Sequence, residues 1–118
     1  MAKTVGIIAE YNPFHNGHYY HLQKAKQEAE ADFCVAVISG NFTQRGETSI
    51  VNKWAKAYMA ICGGADLVIE LPTLYSVSSA ENFANGAIKI LDSLKIVDSF
   101  AFGAEADDLA TLNNIANV

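Results

Sequence analysis

Only two cysteines, two prolines and a single arginine, Arg45, occur in this 118-residue sequence. Cys34 and Cys62 stand far apart, one in an apolar run and one in an expected helix, a spacing that suits neither a metal cluster nor a disulfide framework. Two buried, reduced thiols are expected. No stretch is long and apolar enough to cross a bilayer, and Met1-Ala2-Lys3-Thr4 leads into no signal-peptide core, so the cytoplasm is the expected compartment. Positive charge is also scarce: eight Lys and Arg stand against thirteen Asp and Glu, for a net charge of −5. The basic residues are scattered, with Lys24 near Lys26 and Lys53 near Lys56, and no basic tract is interleaved with aromatics. Phosphate neutralisation supplies most of the affinity for nucleic acid, so this segment by itself is expected to hold RNA weakly. Linkers and internal repeats are absent. With 51% hydrophobic and 18% charged residues, one compact domain with its own core is expected.

Short apolar runs alternate with helical patterns. Strands are predicted at Thr4 to Ala9, Phe33 to Ser39, Asp66 to Leu71 and Val97 to Phe102, and Pro72 stops the third. Helices are predicted from His18 to Ala31, from Asn52 to Cys62 with a glycine C-cap at Gly63-Gly64, and from Asp107 to Val118. Ser78 and Glu81 match a capping box opening a further helix to about Leu94, its core face formed by Phe83, Ala87, Ile90, Leu91 and Leu94. Gly40 to Thr48 and Leu71 to Ser78 read as loops. This alternation predicts an α/β, Rossmann-like parallel sheet with helices on both faces, ligands being held at the carboxyl ends of the strands.

His15-Asn16-Gly17-His18 falls where the first strand gives way to a helix. A helix N-terminus offers free N–H groups and a favourable dipole to phosphate, glycine allows close approach, and each imidazole can donate a hydrogen bond to a phosphate oxygen. The competing reading is a histidine that caps or bridges the helix start. His21 lies one turn further on, but two helical histidines without a carboxylate or thiol partner make a weak zinc signal, and no metal ligands are assigned. Asn12, Pro13 and Phe14 suit turn chemistry, or else a loop that wraps a nucleotide. Arg45, in a polar loop, suits a carboxylate or phosphate as well as solvent. Trp54, Tyr58 and Met59 are expected in a core or an interface rather than on a base-stacking platform. Gly103, after the fourth strand, is either a turn glycine or a ligand contact.

The run Gly6 to His18 resembles the first motif of the HxGH nucleotidyltransferases, in particular the tRNA(Met) cytidine acetate ligases. Ser39-Gly40-Asn41-Phe42-Thr43-Gln44-Arg45-Gly46-Glu47, Gly64-Ala65-Asp66-Leu67-Val68-Ile69-Glu70-Leu71-Pro72, Ser79-Ala80-Glu81-Asn82-Phe83-Ala84 and Phe102-Gly103-Ala104-Glu105 are similar to that branch too. The superfamily's second signature, ISSTxxR, is absent, so the chain is expected to be an N-terminal fragment, incomplete at its C-terminus. The resemblance implies an ATP site formed by Ile7, Ile8, Ala9, Glu10, Tyr11, Asn12, Pro13, Phe14, His15, Asn16, Gly17, His18, Tyr19, Tyr20 and Gly103, with His15 and His18 as catalytic residues. It further implies ATP with Mg²⁺, activation of acetate as acetyl-adenylate, and acetyl transfer to N4 of the wobble cytidine of elongator tRNA(Met). Two alternatives stay open: an adenylyltransferase acting on a phosphorylated metabolite, and a nucleotide-binding or oligomerising module without activity.

Overall fold

The computed structural model describes residues 2–11, 14–42, 46–76, 79–102 and 115–117. In chain order these form β1 (Thr4–Ala9), α1 (Asn16–Glu28), β2 (Phe33–Ser39), α2 (Lys53–Cys62), β3 (Leu67–Leu71), α3 (Thr73–Ser76), α4 (Ala80–Leu94), β4 (Ser99–Phe102) and β5 (Ile115–Asn117). The sheet order is β3-β2-β1-β4-β5, with β1 to β4 parallel and β5 antiparallel to β4. β1 and β2 read as unbroken apolar runs because both faces of the sheet are covered. On one face Val5, Ile7, Ala9, Ala36 and Ile38 pack against Leu22 and Ala25 of α1 and Ala60 of α2. On the other, Ile8, Val35, Val37 and Phe100 pack against Phe83, Ala87 and Leu91 of α4. The chain runs outward from β1 to β2 and β3, then returns through α4 to β4 on the opposite side of β1. That reversal makes the carboxyl ends of β1 and β4 the topological switch point, where α/β folds of this kind bind ligands.

A repeated device aligns the strands at the other edge. Asp32, Asp66 and Asp98 stand at the entrances to β2, β3 and β4. Each donates its N–H to a neighbouring strand, to the carbonyls of Lys3, Cys34 and Thr4 respectively, each at 2.8 Å. The carboxylate of each then accepts the N–H of that same partner residue, at 3.0, 2.8 and 2.8 Å. Two hydrogen bonds per aspartate set the register before the ladder begins.

Several boundaries differ from expectation. α1 starts at Asn16, because His15 caps it, and ends at Glu28 rather than Ala31, because Glu30 adopts a left-handed backbone with φ 52°. α4 is capped by Ser79, whose hydroxyl accepts the N–H of Asn82, rather than by Ser78, which lies outside the described residues. α2 does end as expected: Gly64 takes φ +119°, beyond the range an L side chain readily adopts. β3 and β4 begin one and two residues later than predicted, after their linking aspartates. α3 occupies a stretch expected to be loop, its turn closed by Tyr75 and Ser76 N–H groups on the Pro72 carbonyl. The helix predicted at the C-terminal end is contradicted at Ile115–Asn117, which pair as a strand with the open edge of β4. That edge offers unpaired backbone groups, a long-range gain to which local helical pattern is blind. The sheet is therefore mixed at this edge rather than wholly parallel. Cys34 is buried as expected, whereas Cys62, the last residue of α2, is exposed.

Candidate active site

Glu10 and Tyr11 carry the chain off the carboxyl end of β1, and Tyr11 turns it with φ 53°. A left-handed tyrosine is uncommon and needs support from its surroundings. Here the ring is buried between α1 and the sheet, its centroid 4.7 Å from that of Phe14 in an edge-to-face contact and 4.8 Å from that of His18. Its hydroxyl has no hydrogen-bond partner among the described residues, and burial drives its pKa upward. The aromatic pair forms a wall against which His18 rests.

His15 is the N-cap of α1. Its Nδ1 accepts the N–H of Gly17 at 3.0 Å, and the Nδ1 of His18 in turn accepts the N–H of His15 at 3.2 Å. The result is a capping box made from two histidines, their rings stacked with centroids 3.8 Å apart. A ring nitrogen that accepts a hydrogen bond carries no proton, so in each neutral imidazole the proton sits on Nε2. The backbone thereby fixes both tautomers with the N–H on Nε2. Gly17 serves this arrangement directly: a Cβ there would lie 2.9 Å from His15 Cε1 and push the ring off its cap. The capping and chemical readings of these histidines are compatible, because the cap engages Nδ1 whereas the chemical reading calls on Nε2.

The remaining expected residues fall as follows. Ile7 and Ile8 point into the two cores and Ala9 is buried with Ile7, so their side chains are committed to packing. Glu10 is half-buried, and its carbonyl accepts from Ser39 Oγ at 3.3 Å. Asn16 and Gly17 form the exposed first turn of α1, followed by the exposed Tyr19 and Tyr20. Asn12, Pro13, Arg45 and Gly103 lie outside the described residues, although Gly103 directly follows the last residue of β4. His21 is buried and hydrogen-bonded to the backbone of Phe102, which ties α1 to β4, and burial lowers its pKa. Among the described residues no three His, Cys, Asp or Glu side chains gather where they could hold a metal ion. Trp54 and Tyr58 are 76% and 71% exposed, against the core placement considered for them.

One residue missed in the sequence is Lys56. It is fully buried, and its Nζ donates to Ser39 Oγ at 3.0 Å and to the Gly40 carbonyl at 2.9 Å. Burial pulls its pKa down to about 8, against the opposing pull of Glu10 and Glu70. Through Ser39 this amine braces the ends of β2 and β1 together. Its signal was positional: Lys56 shares the inner face of α2 with Ala60, where helical periodicity calls for an apolar side chain.

A helix N-terminus carrying two capping histidines, set at the switch point of the sheet, is an arrangement suited to phosphate-bearing ligands. The family model described as HIGH Nucleotidyl Transferase matches residues 2–118, and the chain belongs to that family. Within it, the chain is 60% identical over 114 residues to a tRNA(Met) cytidine acetate ligase of Thermoanaerobacter pseudethanolicus and 57% identical over 116 residues to one of Acetivibrio thermocellus. These alignments take in 97% and 98% of the chain and 28% of each relative, so the chain spans little more than a quarter of their length. The crystal structure of Thermotoga maritima TmcAL bound with alpha-thio ATP superposes with a TM-score of 0.83 at 44% identity, covering 92% of this chain and 26% of that one.

Proposed function

We propose that this chain is the nucleotide-activating part of a tRNA(Met) cytidine acetate ligase. In the first step an acetate oxygen attacks the α-phosphorus of ATP, the bond to the β-phosphate oxygen breaks, and acetyl-adenylate and pyrophosphate form. In the second, N4 of the wobble cytidine of elongator tRNA(Met) attacks the acetyl carbonyl, AMP leaves and the nitrogen loses a proton. The carboxylate is already a nucleophile, so the protein's task is alignment and stabilisation of the charge that develops as pyrophosphate departs. His15 and His18 supply Nε2–H donors for that charge, and the first turn of α1 supplies its dipole. The side chains described here build no metal site of their own. Mg²⁺ enters this reading only as the companion of the triphosphate, and no step is assigned to it.

The observation that carries the proposal is the reciprocal His15–His18 cap at the end of β1, together with the ligase names of relatives at 57% to 60% identity. No helix among the described residues is long and apolar enough to cross a membrane; a cytoplasmic enzyme is part of the proposal, and the proposed tRNA substrate supports it. The test is acetate-dependent exchange of labelled pyrophosphate into ATP by the full-length protein. His18→Ala is expected to lower exchange about 10²–10³-fold, the typical loss on removing one such donor, with an unchanged circular dichroism spectrum. Exchange that needs a phosphorylated metabolite instead of acetate would identify an adenylyltransferase. Exchange unaltered by His18→Ala would remove His18 from the chemistry.

A further inference from the structure

Beside the site, a cavity of about 230 Å³ opens between the first turn of α2 and the carboxyl ends of β2 and β3. Its apolar floor is Ile38 and Val68, and Trp54 lines it with a side chain that is 76% exposed. Among the described residues the indole is left largely in water at the edge of this cavity, a flat aromatic face open to a ligand. Polar groups sit on the same cavity: Lys53 Nζ and Glu70 Oε1 pair at 3.0 Å, and Lys53 Nζ also lies 5.6 Å from the Trp54 ring centroid. Ala57 and Ser39 complete the lining, and the Ser39 hydroxyl donates to the Glu10 carbonyl, so cavity and candidate active site share a wall.

An aromatic face, a carboxylate acceptor and an ammonium donor together match one ligand chemistry. A planar base stacks on the indole, an exocyclic amine donates to Glu70, and a ring carbonyl or imine nitrogen accepts from Lys53; carboxylates pair with the amine of cytosine in this way. An aliphatic ligand would leave the charged pair unused, and a phosphate would meet Glu70.

We infer that this cavity is the acceptor subsite, taking an amino-pyrimidine base stacked on Trp54 with its amine turned to Glu70. The inference rests on the proposed ligase reaction and adds to it the place where the cytidine docks. The test separates the two half-reactions in the full-length protein. Trp54→Ala should leave acetate-dependent pyrophosphate exchange within twofold of the parent, which also shows that the variant folds. It should lower kcat/KM for tRNA acetylation roughly ten- to a hundredfold, the range seen when an aromatic platform is removed from under a base. Trp54→Phe should recover most of that loss. Glu70→Gln should also slow transfer while sparing exchange. Transfer unaffected by Trp54→Ala, equal loss of exchange and transfer, or no recovery with phenylalanine would each overturn the subsite. A Glu70→Gln protein with full transfer would overturn the placement of the amine. Absence of acetate-dependent exchange in the parent would instead overturn the ligase reading on which the subsite depends.

Discussion

His15 caps α1 through Nδ1, and the proposed reaction gives its Nε2 a second task that substitution can separate. His15→Ala is expected to cost about 1 kcal/mol of stability, the typical loss of an N-cap, together with most of the exchange activity. His15→Ser restores a capping oxygen but no Nε2–H, so urea denaturation should show stability regained while exchange stays low. Activity regained with serine would mean that the cap, and not the imidazole, is what the reaction needs. Tyr11 presents the opposite case, a buried hydroxyl with no partner among the described residues. An unmade hydrogen bond on a buried group costs about 1–3 kcal/mol, so Tyr11→Phe is expected to leave the urea midpoint unchanged or raise it. A clear fall would show that the hydroxyl holds a buried water or another partner.

At the scale of elements, the three entrance aspartates do for the sheet what caps do for helices. Asp66 at the start of β3 is the most useful to test, because β3 is an edge strand and among the described residues pairs only with β2. Asp66→Ala removes the acceptor of the Cys34 N–H and is expected to cost about 2 kcal/mol, as for hydrogen bonds to charged groups. Asp66→Asn keeps an acceptor oxygen and should cost less, as thermal or urea unfolding of the two variants would show. Equal losses would assign the effect to the charge rather than to the bond. The element boundaries bear on legibility too. β1 and β2 were readable to the residue because buried parallel strands are unbroken apolar runs. α1 was misplaced at its start because histidine is not an ordinary capping residue, and β5 was misread because its partner edge is remote in sequence.

For the whole molecule, the shifted groups predict how stability follows pH. His21 has a lowered pKa in the fold because it is buried, so near its ordinary value of 6.5 the unfolded chain takes up a proton that the native state refuses. Stability should therefore be present above pH 6.5 and fall as the pH drops through and below that value. His21→Gln should flatten this acid limb in denaturation curves collected across the range, and an unchanged slope would show that another group governs it. On the alkaline side the contributions oppose. Lys56, at about 8 in the fold against 10.5 ordinarily, makes stability rise with pH between those values. Cys34, pushed up from 9.0 to about 12 by burial, makes it fall over much of the same range, as does Tyr11 above its ordinary value of 10.0.

Periodicity and composition alone determined the α/β class, four of the strands, the three long helices and the position of His15, Gly17 and His18 at a strand-to-helix turn. These depend on local pattern: apolar runs, 3.6-residue spacing and residues that break or cap. What only the tertiary structure decided was the reciprocal cap that locks both tautomers, the aspartate links between strands, the Lys56 brace across two strand ends, and the cavity that sets Trp54 beside Glu70. Each of these joins residues brought together by hydrogen-bond direction or by the crossing of elements. A sequence records which donors, acceptors and charges exist; it is the packing that selects their partners, because a buried amine or N–H must find an acceptor wherever the fold has placed one.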